Sequence, residues 1–134
     1  MYAGLCALLG LAGAPAAAAQ TAPFSGVQIV SGGYTFRAVA VDSSGNVYAV
    51  DYNNDAVLKE TLSGWSYIQT TGAGGLSQPQ GVAVDGSGNV YIADTGNDQV
   101  LKETPSGGSY TPATVASGLN QPAGVAVDGS GNVY

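Results

Sequence analysis

Histidine is absent from this 134-residue chain, and cysteine occurs only once. Without histidine the chain lacks the commonest general base and the commonest metal-binding side chain, so no nucleophile can have a histidine partner. A single cysteine, Cys6, cannot form a disulfide within the chain. The composition therefore argues against a hydrolytic triad and against a histidine-based metal centre.

Positive charge is also scarce. Arg37, Lys59 and Lys102 are the only cations, and the net charge is −6. A surface that binds nucleic acid needs clustered cations to neutralise phosphates, and three scattered side chains cannot form such a cluster. The same shortage disfavours anionic membrane surfaces. We therefore expect no nucleic-acid partner.

The first 19 residues, MYAGLCALLGLAGAPAAAA, carry no charge and are apolar. Three alanines before Gln20 fit the small-residue rule for cleavage of a secretory signal peptide. No Lys or Arg precedes the apolar stretch, so either the true start lies upstream of Met1 or the signal is weak. An uncleaved anchor is the alternative, but the stretch barely reaches the ~20 residues that a span needs. We predict a cleaved signal peptide, no membrane insertion after cleavage, and a secreted, periplasmic or cell-envelope location.

A repeat of 43 residues dominates the rest of the chain. Four residue types recur at this step, and so does a Lys-Glu-Thr triplet, at residues 59–61 and 102–104. The recurring sets are Asp42, Asp85 and Asp128; Gly45, Gly88 and Gly131; Asn46, Asn89 and Asn132; and Tyr48, Tyr91 and Tyr134. A fixed period in this range is typical of repeat architectures.

Each unit contains four short strand-like segments separated by turn sequences. In the second copy these segments are residues 81–84, 90–93, 99–104 and 109–116, and they become more polar along the chain. No segment has the 3.6-residue period of an amphipathic helix. Four antiparallel strands in every ~40–45 residues are typical of a propeller blade. The sequence therefore predicts an all-β fold, a partial β-propeller of four-stranded antiparallel blades.

The units resemble the NHL repeat, whose approximate pattern is P-x-G-V-A-V-D-x-x-G-N-V-Y-V-A-D-x-x-N-x-R-V. The second copy reads PQGVAVDGSGNVYIADTGNDQV, and the first reads AVAVDSSGNVYAVDYNNDAV from residue 38. Gln99 and Ala56 replace the arginine of the pattern. An arginine-to-aspartate contact between neighbouring turns is then not possible, so Asp51 and Asp94 need other partners. The resemblance implies a propeller of about six blades, which needs about 258 residues at this period.

These observations divide the chain into five predicted parts. Residues 1–19 form the signal peptide, and residues 20–37 form a leading outer strand and a linker. Residues 38–80 form the first blade, residues 81–123 the second, and residues 124–134 the start of a third. Because the third copy stops in mid-unit, we expect a fragment truncated at its C-terminus, with truncation at both ends as the alternative.

One end of the array is the predicted ligand face. Successive strands alternate in direction, so the turns at residues 51–55 and 94–98 share an end with the loops at residues 75–79 and 118–122. This end varies most between the copies. The candidate ligand-face residues are Asp51, Tyr52, Asn54, Asp94, Asn97, Asp98 and Asn120.

The recurring aspartates, Asp51 and Asp94, have two interpretations. They form either a ring of carboxylates that holds Ca²⁺ or a polar ligand, or caps that accept backbone N–H groups. Recurrence in each full unit favours the caps. The DGSGN segment is interpreted as a hairpin turn, since it lacks the glycine and the glutamate of an EF-hand loop. We predict no catalytic residue, no metal site and no cofactor, with Ca²⁺ as the weaker alternative.

Three functions are compatible with these residues. Uniform repeats and the lack of histidine favour a non-catalytic binding scaffold for a protein, a peptide or a glycan. One alternative is a metal-dependent propeller lyase or lactonase whose site lies mainly in blades outside this sequence. The other is the sensor domain of a larger envelope receptor. A fold alone does not decide among them.

Overall fold

The computed structural model describes residues 34–63, 66–73 and 75–134, and it describes side chains at residues 34–61 and 75–134. The predicted signal peptide lies outside these ranges, as do residues 20–33 of the predicted leading strand and linker. Within the described ranges, no helix has the length and apolar character needed to cross a bilayer.

The chain forms two antiparallel four-stranded sheets whose strands follow one another in sequence order. The first sheet consists of β1 (Phe36–Val41), β2 (Val47–Asp51), β3 (Ala56–Ser63) and β4 (Ser66–Ala73). The second sheet consists of β5 (Gly81–Val84), β6 (Val90–Asp94), β7 (Gln99–Ser106) and β8 (Ser109–Ser117). A short 3-10 helix, Thr95–Asn97, follows β6. The prediction of an all-β fold built from four-stranded antiparallel units is confirmed.

The β7–β8 hairpin is tighter than the sequence predicts. The pattern ends the third strand of this unit at residue 104, but β7 continues to Ser106 and the turn contains only Gly107 and Gly108. Both glycines have positive φ, as a two-residue hairpin loop requires. Pro105 is accommodated because β6 pairs with β7 only as far as Glu103, so no ladder bond needs its missing N–H.

The hydrophobic core lies between the two sheets. Alternate residues of each strand point to opposite faces, so one face of the first sheet can pack on one face of the second. The core consists of Tyr48, Val50, Val57, Leu76, Val82, Val90 and Ile92. Burial of one such side chain stabilises the fold by roughly 1.5–3 kcal/mol. Each sheet therefore depends on its neighbour for much of its stability.

The first strands of successive units lie side by side. β1 contacts β5, and Gly81 of β5 lies against the backbone of the third copy. A Cβ at Gly81 would come within 2.9 Å of the Ala123 carbonyl oxygen and 3.0 Å of the Gly124 Cα. The third copy itself is described as a single bridge between Val127 and Val133. The close approach explains why the second copy has glycine at this position.

Candidate functional site

The end of the array that carries the predicted ligand face is called the loop end. It contains the turns at residues 51–55 and 94–98 and the loops at residues 75–80 and 118–123. Hydrogen bonds connect these segments to one another, both within one sheet and between neighbouring units. The structure therefore brings the predicted segments together at one end.

Asp94 is fully buried at the end of β6 and accepts three hydrogen bonds. Its Oδ1 accepts from the Ser77 backbone N–H at 2.7 Å. Its Oδ2 accepts from Asn97 Nδ2 at 2.8 Å and from Gln99 Nε2 at 2.9 Å. Gln99 occupies the position that is arginine in the family pattern. Its side-chain amide therefore supplies the hydrogen-bond donor that the missing arginine does not.

Asp51 occupies the equivalent position at the end of β2 and is also fully buried. Its Oδ1 accepts from the Thr35 backbone N–H at 3.3 Å, and its Oδ2 accepts from Asn54 Nδ2 at 2.6 Å. Ala56, which stands in the place of Gln99, has no donor to add. Both aspartates therefore hold their own turns together, which is the geometry of the cap interpretation.

A second pair of aspartates connects the turns to the loops. Asp55 and Asp98 have a φ of 53°, in the left-handed region that aspartate tolerates better than most residues. Asp55 Oδ1 accepts from the Gln78 backbone N–H at 2.6 Å, and Asp98 Oδ1 accepts from that of Gln121 at 2.9 Å. The Leu119 N–H donates to the Asp98 carbonyl oxygen at 2.9 Å. Each turn is thereby clamped to the loop that follows its sheet.

Further bonds join one unit to the next. The Gly96 N–H donates to the Ser77 carbonyl oxygen at 2.8 Å, and Thr95 Oγ1 donates to that of Pro122 at 2.7 Å. The turn at residues 94–98 is therefore held between the loop before its sheet and the loop after it. The loop end is a continuous surface and not a row of independent turns.

The predicted site residues fall into two groups. Asp51 and Asp94 are buried and position the surface. Asn54, Asn97, Asp98 and Asn120 are exposed, and Tyr52 is half-buried. The Arg37 guanidinium lies 4.6 Å from the centre of the Tyr52 ring, in cation–π geometry.

The residues that hold the turns to the loops are not among the predicted site residues, apart from Asp98. Asp55, Gln78 and Gln121 form the turn-to-loop connections together with Asp98. The sequence did contain a sign of these connections, because Asp55 recurs as Asp98 and Gln78 recurs as Gln121 at the repeat step. The partners of these residues are 23 positions away, so the spacing alone did not connect them.

At the opposite end of the array, the same hydrogen-bonded turn occurs once in each of the three copies. Asp85 Oδ1 accepts from the backbone N–H groups of Ser87 and Asn89, and Oδ2 accepts from the Asn89 side chain and the Tyr91 hydroxyl. Burial acts to raise the pKa of Asp85, but these hydrogen bonds outweigh it and keep that pKa below its ordinary value. Asp42 and Asp128 make the same four bonds. The two DGSGN segments and the corresponding DSSGN segment of the first copy therefore form hydrogen-bonded turns.

A polar chain joins the sheets near this opposite end. Lys59 Nζ donates to the Tyr110 hydroxyl at 3.1 Å, which lies 3.2 Å from the Tyr48 hydroxyl, and Tyr48 donates to Asp42. Burial and then the hydrogen bond with Tyr110 raise the pKa of Tyr48. Tyr48 therefore remains a protonated donor at neutral pH, and the chain of bonds fixes the second sheet on the first.

No metal centre is visible in the described part of the chain. There, no group of three or more His, Cys, Asp or Glu side chains is placed to hold a metal ion. The carboxylates of Asp51 and Asp94 are occupied by amide donors. Calcium binding remains the weaker alternative.

Three comparisons with known proteins bear on the family and the fold. Residues 76–102 match the model of the NHL repeat. No curated protein sequence matches the chain. Among solved structures, the chain is similar to the PQQ-bound form of aldose sugar dehydrogenase from Streptomyces coelicolor, with a TM-score of 0.50 and 14% sequence identity.

That similarity covers 70% of this chain and 34% of the dehydrogenase, so the chain spans about a third of that protein's length. At this identity the likeness shows the fold alone. The predicted resemblance is confirmed: residues 76–102 carry an NHL repeat, and the fold of the chain is that of a partial β-propeller.

Proposed function

We propose that this NHL-type propeller chain is a non-catalytic binding scaffold that holds a peptide segment or a glycan at its loop end. One observation carries the proposal: a constant hydrogen-bonded frame supports exposed residues that differ between units. The frame consists of a buried aspartate, the asparagine three residues later, and a left-handed aspartate that caps the following loop. Binding residues are typically found on loops that a rigid scaffold positions.

The residues that this frame presents vary from one unit to the next. The exposed Asn53 of the first unit corresponds to the exposed Gly96 of the second, and the half-buried Ser77 corresponds to the exposed Asn120. A frame that is shared between units for stability alone would not need different residues on its surface. This variation is what supports a recognition role for the loop end.

The loop end exposes amide side chains beside the carboxylates of Asp55 and Asp98. Asn54, Asn97 and Asn120 carry amides, which donate and accept hydrogen bonds. Such groups suit the backbone of an extended peptide or the hydroxyls of a glycan. Export through the predicted signal peptide at residues 1–19 would place this surface outside the cytoplasm, which is part of the proposal.

The three cations of this chain are not arranged to bind PQQ, the cofactor that is named for the structural neighbour. PQQ carries three carboxylates, which need cationic or clustered N–H partners when bound. Arg37 lies over Tyr52, while Lys59 and Lys102 lie 5.5 Å from the tyrosine rings of Tyr48 and Tyr91, respectively. Each of the three cations therefore lies near a different tyrosine ring and not in a cluster, and we derive no catalytic step through PQQ.

Two other functions are proposed as alternatives to the binding scaffold, with less support. A propeller lyase or lactonase would need a metal-binding site that is distinct from the residues described here. A receptor sensor domain would use the same loop end, and it would differ from the scaffold only by an additional signalling domain joined to the propeller.

The proposal is tested by probing the full chain against immobilised oligosaccharides and against a displayed library of dodecapeptides. Asn120→Lys changes an exposed loop-end residue for which the structure shows no side-chain hydrogen bond. Ser87→Lys is the matched control, because Ser87 is exposed at the opposite end and uses only its backbone N–H.

We expect Asn120→Lys to weaken capture of the selected probe about tenfold, which corresponds to about 1.4 kcal/mol, and Ser87→Lys to leave it unchanged. Equal losses in the two variants would place binding elsewhere. Failure of every probe to bind would reject the scaffold role at this end.

A further inference from the structure

We propose that the loop end binds a neutral glycan where the first two units meet, and that the side chain of Gln78 contacts it. This inference rests on the proposed binding function and names its ligand class and one contact residue. The unit junction consists of the turn at residues 51–55, the loop at residues 75–80 and the turn at residues 94–98. Sheets are described on both sides of the loop at residues 75–80, so the exposure of Gln78 is a property of assembled units.

The backbone of Gln78 has a conformation that suits glutamine poorly. Its φ is 48°, in the left-handed region that glycine adopts freely and that aspartate or asparagine tolerates through local hydrogen bonds. Pro79 restricts the preceding residue further. The Asp55 carboxylate holds this conformation by accepting the Gln78 backbone N–H at 2.6 Å. A glycine would make the same bond with less strain, so the loop itself does not require glutamine.

The side chain of Gln78 is not used by the fold. Gln78 is exposed, and the hydrogen bond that the structure shows for it comes from its backbone N–H. Gln121 repeats this arrangement, with a φ of 48° and its backbone N–H bonded to Asp98. Strained backbone is commonly found at functional positions. The free amide of Gln78 is therefore the group that contacts a ligand.

The exposed groups around Gln78 indicate the class of that ligand. Leu76 and Pro79 are buried, and the exposed residues of the unit junction are Asn53, Asn54, Asp55, Gly75, Gln78, Gly96, Asn97 and Asp98. Peptide recognition commonly relies on apolar or aromatic anchors, and this set contains none. Amides and carboxylates instead pair well with hydroxyls, which both donate and accept hydrogen bonds. A glycan therefore fits this surface better than a peptide does.

The charge of the unit junction favours a neutral glycan over an acidic one. Asp55 and Asp98 place two exposed carboxylates there, while Arg37 lies over the Tyr52 ring. The chain as a whole carries a net charge of −6. A uronate or a sulfated sugar would be repelled by these carboxylates, and such repulsion gives specificity.

Binding assays on the full chain test the inference with three sets of probes: neutral glucan, mannan and xylan oligosaccharides, acidic oligogalacturonate, and dodecapeptides. Gln78→Gly removes the amide and keeps the left-handed backbone. Ser87→Gly is the matched control, because Ser87 is exposed at the opposite end and uses its backbone N–H. Asp55→Asn keeps the acceptor for the Gln78 N–H and removes one charge.

We expect a neutral oligosaccharide to bind, with Gln78→Gly weakening it about tenfold and Ser87→Gly leaving it unchanged. Glycine relieves the left-handed strain, so Gln78→Gly should melt at the same temperature as the unchanged chain or about 2 °C higher. Asp55→Asn should reduce the preference for the neutral oligosaccharide over oligogalacturonate.

Binding of peptides alone, or a preference for oligogalacturonate, would overturn the inference and leave the binding scaffold standing. The same conclusion would follow if Gln78→Gly bound as tightly as the unchanged chain. A Gln78→Gly variant that melted several degrees lower would show that the glutamine has a structural role, which also contradicts the inference. If no probe bound at all, the inference and the proposed scaffold function would both fail.

Discussion

The first and second sheets have similar sequences but different surroundings. Val39 and Val41 of the first sheet are exposed, whereas Val82 is buried at the equivalent position of the second. Leu76 is 6% exposed in the loop before the second sheet, and Leu119, one repeat later, is 37% exposed. Burial in this array therefore depends on whether a neighbouring unit covers the residue and not on the residue type.

The buried aspartates show a second difference between the sheets. Asp94 accepts three hydrogen bonds and connects its turn to the preceding loop through Ser77. Asp51 accepts two, and its bond from the Thr35 backbone is long. Gln99 thus gives the second unit a hydrogen bond that Ala56 cannot give the first.

The largest effect is expected when this aspartate network is broken. Asp94→Ala should lower the free energy of unfolding by about 3 kcal/mol, because it leaves the Ser77 N–H and two side-chain amides without their acceptor. Asp51→Ala should cost about 1–2 kcal/mol, since fewer bonds are lost. Urea denaturation followed by circular dichroism measures both values. Equal losses would show that Gln99 adds nothing to the second unit.

A smaller effect is expected where the backbones of two units meet. Gly81→Ala gives the second unit the residue that the first has at Ala38, and its Cβ would meet the Ala123 carbonyl oxygen. We expect a loss of about 1–3 kcal/mol, as in other overpacked sites. Gly124→Ala is the control, because its Cβ would meet no atom within 4 Å. Thermal denaturation should separate the two variants, and similar melting temperatures would contradict the close approach.

The smallest effect concerns a buried glutamate in β7. Burial raises the pKa of Glu103 above its ordinary value of 4.5, and it raises that of the less buried Glu60 in the same direction. The ionised form of Glu103 is therefore disfavoured in the folded state. The resulting loss of stability is absent well below pH 4.5, grows as the pH rises from 4.5 to the folded-state pKa, and is complete above that pKa.

Glu103→Gln should accordingly raise the melting temperature at pH 7, by the equivalent of about 1 kcal/mol or less, and the gain should vanish near pH 4. Glu60→Gln should give a smaller gain, because Glu60 is only half-buried. Melting curves at the two pH values test this, and a gain that persists at pH 4 would show that ionisation is not its cause.

Much of the loop end was predictable because its turn residues recur at the repeat step. The pairing of turns 51–55 and 94–98 with the loops that follow each sheet came from the alternation of strand direction alone. The role of Gln99 was not predictable in the same way, since the sequence showed only that arginine was missing. Whether a glutamine side chain reaches Asp94 depends on the paths of two strands.

The sequence by itself determined the units: four antiparallel strands in each, the turns between most of them, and Asp51 and Asp94 as caps. These features depend on residues close together in the chain, so the 43-residue period records them directly. Only the tertiary structure decided which copy of a repeated valine or leucine is buried, because burial depends on the unit that lies beside it in space. Val39 and Val82 are the same residue at the same position, and their different neighbours give them different surroundings.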